Sequence, residues 1–223
     1  MPLAISVRVQ FALKAGLFAV ALLPFLRLAG ALAFDWFGGL GSNPIELLTR
    51  STGTWTLVML CVTLAITPLR KITGWQLIAR WRRMLGLFAF FYALLHFITY
   101  VWFDQWFDVT AIAKDIYKRP FITAGFTALV LMTPLAITST NAMMKRLGRK
   151  WATLHKLVYL VVPIGVLHYW WMKAGKNAIQ EPAIYALVVA LLLGCRVALK
   201  WQAKKTLAAK PAATASQVRK ATS

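Results

Sequence analysis

His96, His155 and His168 are the only histidines in the 223-residue sequence, and each sits inside a long apolar stretch. Imidazole in a hydrocarbon setting is costly and ordinarily has a partner, so each is a functional hypothesis. The bland alternative for each is a hydrogen-bonded core residue. Neutral imidazole is an axial ligand of haem iron, and iron ligation is the chemistry these residues are best suited to do. His155 and His168 lie thirteen residues apart on one expected helix, roughly 20 Å along its axis at 1.5 Å per residue. That separation suits two haems, one near each leaflet. His96 falls on another helix at the depth of His168, and the two make a candidate bis-imidazole pair for an outer haem. His155 has no histidine at its own depth. Arg82 stands fourteen residues before His96, nearly four whole turns, and so projects from the same face. It occupies the place of a second inner histidine, to hold a haem propionate or approach the iron. A charge that sets topology is its competing reading. Thirteen ideal steps leave His155 and His168 about 140° apart around their helix. Pro163 and Gly165 between them offer a place for a kink or local rewinding. Tyr100 and Tyr159 each follow a histidine by four residues on the same face, to line a haem pocket or to sit at the membrane interface.

The elements that must position these residues are membrane helices. The chain is 60% hydrophobic and 13% aromatic, with a mean hydropathy of +0.64. About 20 apolar residues span a hydrocarbon core, and six segments qualify: 13–34, 54–70, 84–103, 121–139, 151–172 and 183–200. The second is the shortest, with Pro68 expected to end it. The expected fold is an all-α integral membrane bundle of about six transmembrane helices over residues 1–203. A disordered basic tail, 204–223, follows and lies near anionic lipid. Ala31-Leu32-Ala33 resembles a signal-peptidase site, but the apolar stretch before it is long and Arg27 interrupts it, so the first helix is expected to be retained.

Charge orients the bundle. The formal charge is +20, yet the basic residues lie between apolar segments rather than on one surface, which excludes a nucleic-acid-binding protein. Placing both termini in the cytoplasm puts Arg70–Arg83, Lys145–Lys150 and the tail inside, as the positive-inside rule requires. The outer segments then hold only Arg50, Lys114, Lys118, Arg119, Lys173 and Lys176, with all six acids: Asp35, Glu46, Asp104, Asp108, Asp115 and Glu181. Tryptophans mark the same boundaries, Trp75, Trp81, Trp151 and Trp201 inside and Trp36, Trp55, Trp102, Trp106, Trp170 and Trp171 outside. Cys61 and Cys195 lie in apolar runs with no metal-binding spacing and read as small core residues.

Several runs carry a family resemblance: RRMLGL at 82–87, HFITY at 96–100, KRPFIT at 118–123, TSTNAM at 138–143, LGRKWATLHKLVYL at 147–160 and HYW at 168–170. Together they resemble the haem-binding membrane subunit of bacterial periplasmic protein-methionine-sulfoxide reductase systems (the MsrQ/YedZ family), over about residues 10–200. More broadly the chain is similar to the cytochrome b core shared by ferric reductases and NADPH oxidases. Those carry two histidines on each of two helices, and this sequence departs from them at Arg82. The resemblance implies b-type haem, one or two per chain, and FMN. It implies electron flow from quinone or a cytoplasmic flavin reductase, across the bacterial inner membrane, to a periplasmic molybdenum-containing reductase that repairs methionine sulfoxide in envelope proteins.

The expected function is therefore electron transfer, with His96 and His168 on one haem, His155 and Arg82 at a second site, and substrate chemistry on the partner. Two rivals stand beside it. One is a cytochrome that itself reduces ferric chelates or oxygen, weakened by the lack of a C-terminal flavin and nicotinamide domain. The other is a haem-free transporter or scaffold, weakened because no carboxylate falls within a span for ion coupling.

Overall fold

In the computed structural model the described residues are 6–175 and 177–221, without the side chains of residue 37 and residues 206–221; Lys176 lies outside them. Regular structure among them is helical, with no strand. Six helices are long and apolar enough to cross a membrane: Val7–Phe34, Pro44–Thr73, Ile78–Asp104, Pro120–Ile137, Arg149–Ala174 and Gln180–Lys205. The chain is a multi-pass membrane protein of the expected all-α class. Its spans alternate in direction, which gathers the acidic residues at one end of the bundle and the Arg70–Arg83 connection at the other. These are called the acidic and basic ends below.

α1 (Val7–Phe34), α2 (Pro44–Thr73) and α3 (Ile78–Thr99) come first. Asn43 starts α2 reciprocally: its carbonyl oxygen accepts from the Glu46 N–H at 3.3 Å while its amide donates to the Glu46 carboxylate at 2.8 Å. Pro44 at the first helical position loses nothing by lacking an N–H. Gly74, at φ 73°, closes the helix with an N–H donated to the Arg70 carbonyl. Pro68 does not end this helix, contrary to the sequence expectation, and α2 runs to Thr73. The proline deprives the Leu64 carbonyl of its helical donor. Arg196, from the last helix, supplies Nε at 3.2 Å and Nη2 at 2.5 Å in its place. Tertiary contact thus repairs the ladder.

α1 is held through Tyr92, which has no exposed surface. Its hydroxyl donates to the Ala21 carbonyl at 2.7 Å and accepts from the Phe25 N–H at 3.2 Å. Those two groups would bond each other in an uninterrupted helix, so the phenol is inserted into the α1 ladder beside Pro24. Edge-to-face contacts of Phe18 with Phe88 and Phe25 with Phe91 complete the seam.

Five residues after α3, Tyr100–Asp104, form one π turn, and a short amphipathic helix, α4 (Val109–Lys118), follows where sequence reading placed a loop. α5 (Pro120–Ile137) returns to the basic end, where α6 (Asn141–Leu147) and α7 (Arg149–Leu154) make a corner. α8 (Val158–Ala174) rises again, and α9 begins at Gln180. The fifth span is therefore not uniform. His155–Leu157 form a 3₁₀ turn between α7 and α8. Three residues wound at about 120° rather than 100° add roughly 60°, which brings the 140° offset between His155 and His168 down to roughly 80°.

α2 packs most extensively on α3, and α5 on α8, making two antiparallel hairpins that meet along α3 and α5. α9 lies against α2 and α8. The core between them is built of Leu57, Leu60, Leu64, Leu85, Ala89, Val161 and Val162. The backbone of the expected basic tail continues α9 as helix to Ala221, in line with the helix propensity of its alanines and lysines.

Candidate functional site

Each hairpin presents one histidine to the other. His96, near the end of α3, and His168, near the end of α8, face each other with ring centroids 5.9 Å apart and planes 75° apart. Both rings are oriented in the same way. The His96 Nδ1 lies 2.8 Å from the Thr49 carbonyl on α2, and the His168 Nδ1 lies 2.6 Å from the Phe121 carbonyl on α5. The carbonyl precedes its histidine by 47 residues in both hairpins. A carbonyl only accepts, so Nδ1 carries the proton and Nε2 keeps its lone pair.

Glycine makes these contacts possible. Four residues beyond each carbonyl stands a glycine, Gly53 on α2 and Gly125 on α5. A Cβ at Gly53 would lie 3.1 Å from the His96 Cε1 and Nδ1, and at Gly125 only 2.8 Å from the His168 Nδ1. Each imidazole therefore rests on bare helix backbone. Sequence reasoning missed both glycines. Their signal was present, an isolated glycine inside an apolar helix, which ordinarily marks close approach of another group.

The two rings line a cavity of about 1040 Å³ that opens toward the acidic end and reaches inward to Leu57, Leu60, Met132 and Val161. Thr49 Oγ1 lines it as a buried hydroxyl without a partner. Trp55, expected at the membrane boundary, instead lines this cavity and packs on Tyr92, 6.4 Å between ring centroids. The mouth is ringed by ion pairs: Arg50 with Glu46, Arg119 with Asp115 at 3.3 Å, and Lys173 with Glu181 at 3.1 Å. Asp115 also accepts from Gln105 at 3.0 Å and from the Tyr100 hydroxyl at 3.2 Å, which ties the π turn to α4. Tyr169 donates to Glu181. Charges expected only to mark topology thus border the cavity.

The geometry suits a metal-centred planar group. Two metal–imidazole bonds of about 2 Å each, with half a ring on either side, come to roughly 6 Å. The bare glycine cradles, the free Nε2 atoms and the apolar walls fit an axially ligated haem, with three cations at the mouth for its carboxylates.

His155 stands apart from this pair. Its Nε2 lies 3.2 Å from the Thr138 hydroxyl, and Trp151 stacks on its ring at 4.0 Å between centroids. Trp151 in turn donates its indole N–H to the Thr138 carbonyl at 2.9 Å. Arg82 enters the third span (Ile78–Asp104) at the same basic end of the bundle. Sequence reading also passed over Arg196, which sits in the sixth span and is 5% exposed.

The fold is a ferric-reductase-like helical membrane core, and comparison with known proteins shows the family. The family described as "Ferric reductase like transmembrane component" matches residues 52–166. Over 191 residues the chain is 59% identical to the "Protein-methionine-sulfoxide reductase heme-binding subunit MsrQ" of Herminiimonas arsenicoxydans, covering 85% of this chain and 86% of that one. It is 55% identical to the protein of the same name from Ralstonia nicotianae over 192 residues, 86% and 87% of the two chains. For that of Bordetella pertussis the identity is 53% over 193 residues, 85% and 91%. The chain belongs to the MsrQ family of ferric-reductase-like membrane proteins.

Proposed function

We propose that this chain is a membrane b-type cytochrome that carries electrons across the bacterial inner membrane to a periplasmic molybdenum-containing reductase of methionine sulfoxide. The facing pair His96 and His168, each with Nδ1 held by a backbone carbonyl, is the observation that carries this reading. The relatives' printed names, a haem-binding subunit of a methionine-sulfoxide reductase, support it. Bound haem would supply one-electron iron chemistry, with the protein setting its potential and access.

The residues divide the work. His96 and His168 would be the axial ligands of the haem nearer the acidic end. Thr49 and Phe121 fix the tautomer and ring orientation through their carbonyls, as partners beyond the ligands commonly do. Arg50, Arg119 and Lys173 would hold the haem carboxylates at the mouth, exchanging Glu46, Asp115 and Glu181 as partners. Leu57, Leu60 and Val161 keep water from the inner part of the cavity. His155 would serve a second haem toward the basic end, with Arg82 at its side. The acidic end then faces the periplasm and both termini the cytoplasm, as the basic connections require. FMN, and a quinone or cytoplasmic flavin reductase as donor, rest on the family resemblance alone.

The test is a reduced-minus-oxidised visible spectrum of the detergent-purified protein with pyridine haemochrome quantitation. A b-type spectrum with one to two haems per chain is expected. A featureless spectrum from folded, haem-supplied protein would overturn the proposal.

A further inference from the structure

Among the described residues, Arg196 is a buried cation with no anionic partner. Its Nε and Nη2 donate to the Leu64 carbonyl, and its Nη1 donates to the Tyr159 hydroxyl at 2.6 Å. The guanidinium carbon lies 5.4 Å from the centre of the Tyr159 ring. All of these partners are neutral. The described residues hold three ion pairs, and all of them lie at the acidic end. Arg82 enters the third span from the basic end, so two like charges share that half of the bundle. The six carboxylates of the sequence all fall toward the other end.

Burying a guanidinium without a counter-charge is strongly unfavourable, and a second cation nearby makes it worse. The hydrogen-bonding capacity points the same way. A guanidinium has five N–H donors, and the bonds to Leu64 and Tyr159 use three of them. Tyr159 accepts from Arg196, which leaves its own O–H to donate. What faces the surroundings is donors and positive charge only. The ligand that completes such a site is an anionic oxygen group.

We propose that Arg196 and Tyr159 form an anion-binding site in the basic half of the bundle, and that its occupant is a carboxylate of the haem assigned above to His155. The assignment of carboxylate rests on that reading of His155. The phosphate of an anionic lipid has the same chemistry and is the other source of such a group. Tyr159 follows His155 by four residues, one helical turn further into the membrane. Arg82 enters the third span (Ile78–Asp104) from the same basic end of the bundle. Tyr159 therefore sets the Arg196 guanidinium beside the region a haem ligated by His155 would occupy.

The experiment compares wild type with R196K, R196Q and Y159F, each purified from membranes with its bound groups. Potentiometric titration gives the midpoint of each haem as a function of pH, pyridine haemochrome gives haem per chain, and mass spectrometry gives co-purified lipid. R196Q should lower the midpoint of one haem, making it at least tenfold harder to reduce, about 59 mV for one electron. R196K should restore most of that shift, because it keeps the charge. It loses the forked contact with Leu64, so a purely structural clamp would respond to both variants alike. Y159F should move the same haem in the same direction by a smaller amount. Unchanged midpoints with loss of anionic lipid in R196Q would keep the anion site and assign it to phosphate. Unchanged midpoints and unchanged lipid in folded R196Q would overturn the proposal. If H155A in the same titration removes no haem, the reading of His155 fails by itself and only the lipid assignment survives.

Discussion

Gly125→Ala sets two effects of opposite sign against each other, and the structure decides between them. On helix propensity alone, alanine in place of a mid-helix glycine stabilises by about 1 kcal/mol. At this position the new methyl would stand 2.8 Å from the His168 Nδ1 and 2.9 Å from its Cε1. Ordinary non-bonded contact requires about 3.5 Å or more, so the ring must retreat by roughly 0.7 Å. A retreat along its bond to the Phe121 carbonyl stretches that bond from 2.6 Å to roughly 3.3 Å, the limit of hydrogen bonding. Leaving a buried imidazole N–H without its partner costs roughly 1–3 kcal/mol, which offsets the gain in propensity at the low end and exceeds it over the rest of the range. That energy corresponds to a weakening of axial ligation by roughly fivefold to a hundredfold. Gly53→Ala is milder, since its methyl would sit 3.1 Å from His96 and a shift of a few tenths of an ångström relieves it. Electron paramagnetic resonance and visible spectra of the purified variants read the difference. Gly125→Ala should convert low-spin haem to a high-spin or haem-depleted form. Gly53→Ala should keep a low-spin signal with altered g values. A Gly125→Ala protein with native spectrum and haem retention would refute the reasoning.

Three further outcomes are expected. His96→Ala and His168→Ala should each abolish the low-spin signal of one haem, and an unaltered haem complement in both would sink the pairing. Arg82→Ala should shift or remove only the haem at the basic end in a potentiometric titration, whereas equal loss of both would assign Arg82 to folding. Tyr92→Phe removes a hydroxyl from between Ala21 and Phe25 and should lower stability by about 1 kcal/mol in a detergent thermal-unfolding assay; no change would mean that α1 closes its own ladder.

The six spans were legible because each is an apolar run of membrane length, and the depth of each histidine followed from counting along it. What was not legible depends on neighbours. Pro68 looks like a terminator until Arg196, 128 residues away, is seen to take the carbonyl it orphans. The rotation between His155 and His168 turns on a 3₁₀ turn at His155–Leu157, and no residue in that turn prescribes it. Gly53 and Gly125 acquire meaning only when an imidazole from the next helix lies on them. Arg50, Arg119 and Lys173 were counted as loop charges because their common boundary with one cavity is a property of packing.

The equal spacing of carbonyl and histidine in the two hairpins has a consequence for biogenesis. Each imidazole is aimed by a carbonyl from its own hairpin, so each half acquires its finished coordinating arm without the other. α2 with α3, and α5 with α8, can enter the bilayer in turn and be complete on arrival. The facing histidine pair itself exists only at the seam where the halves meet. A group held from both sides there would act as a clasp, adding to the packing that already joins the two hairpins.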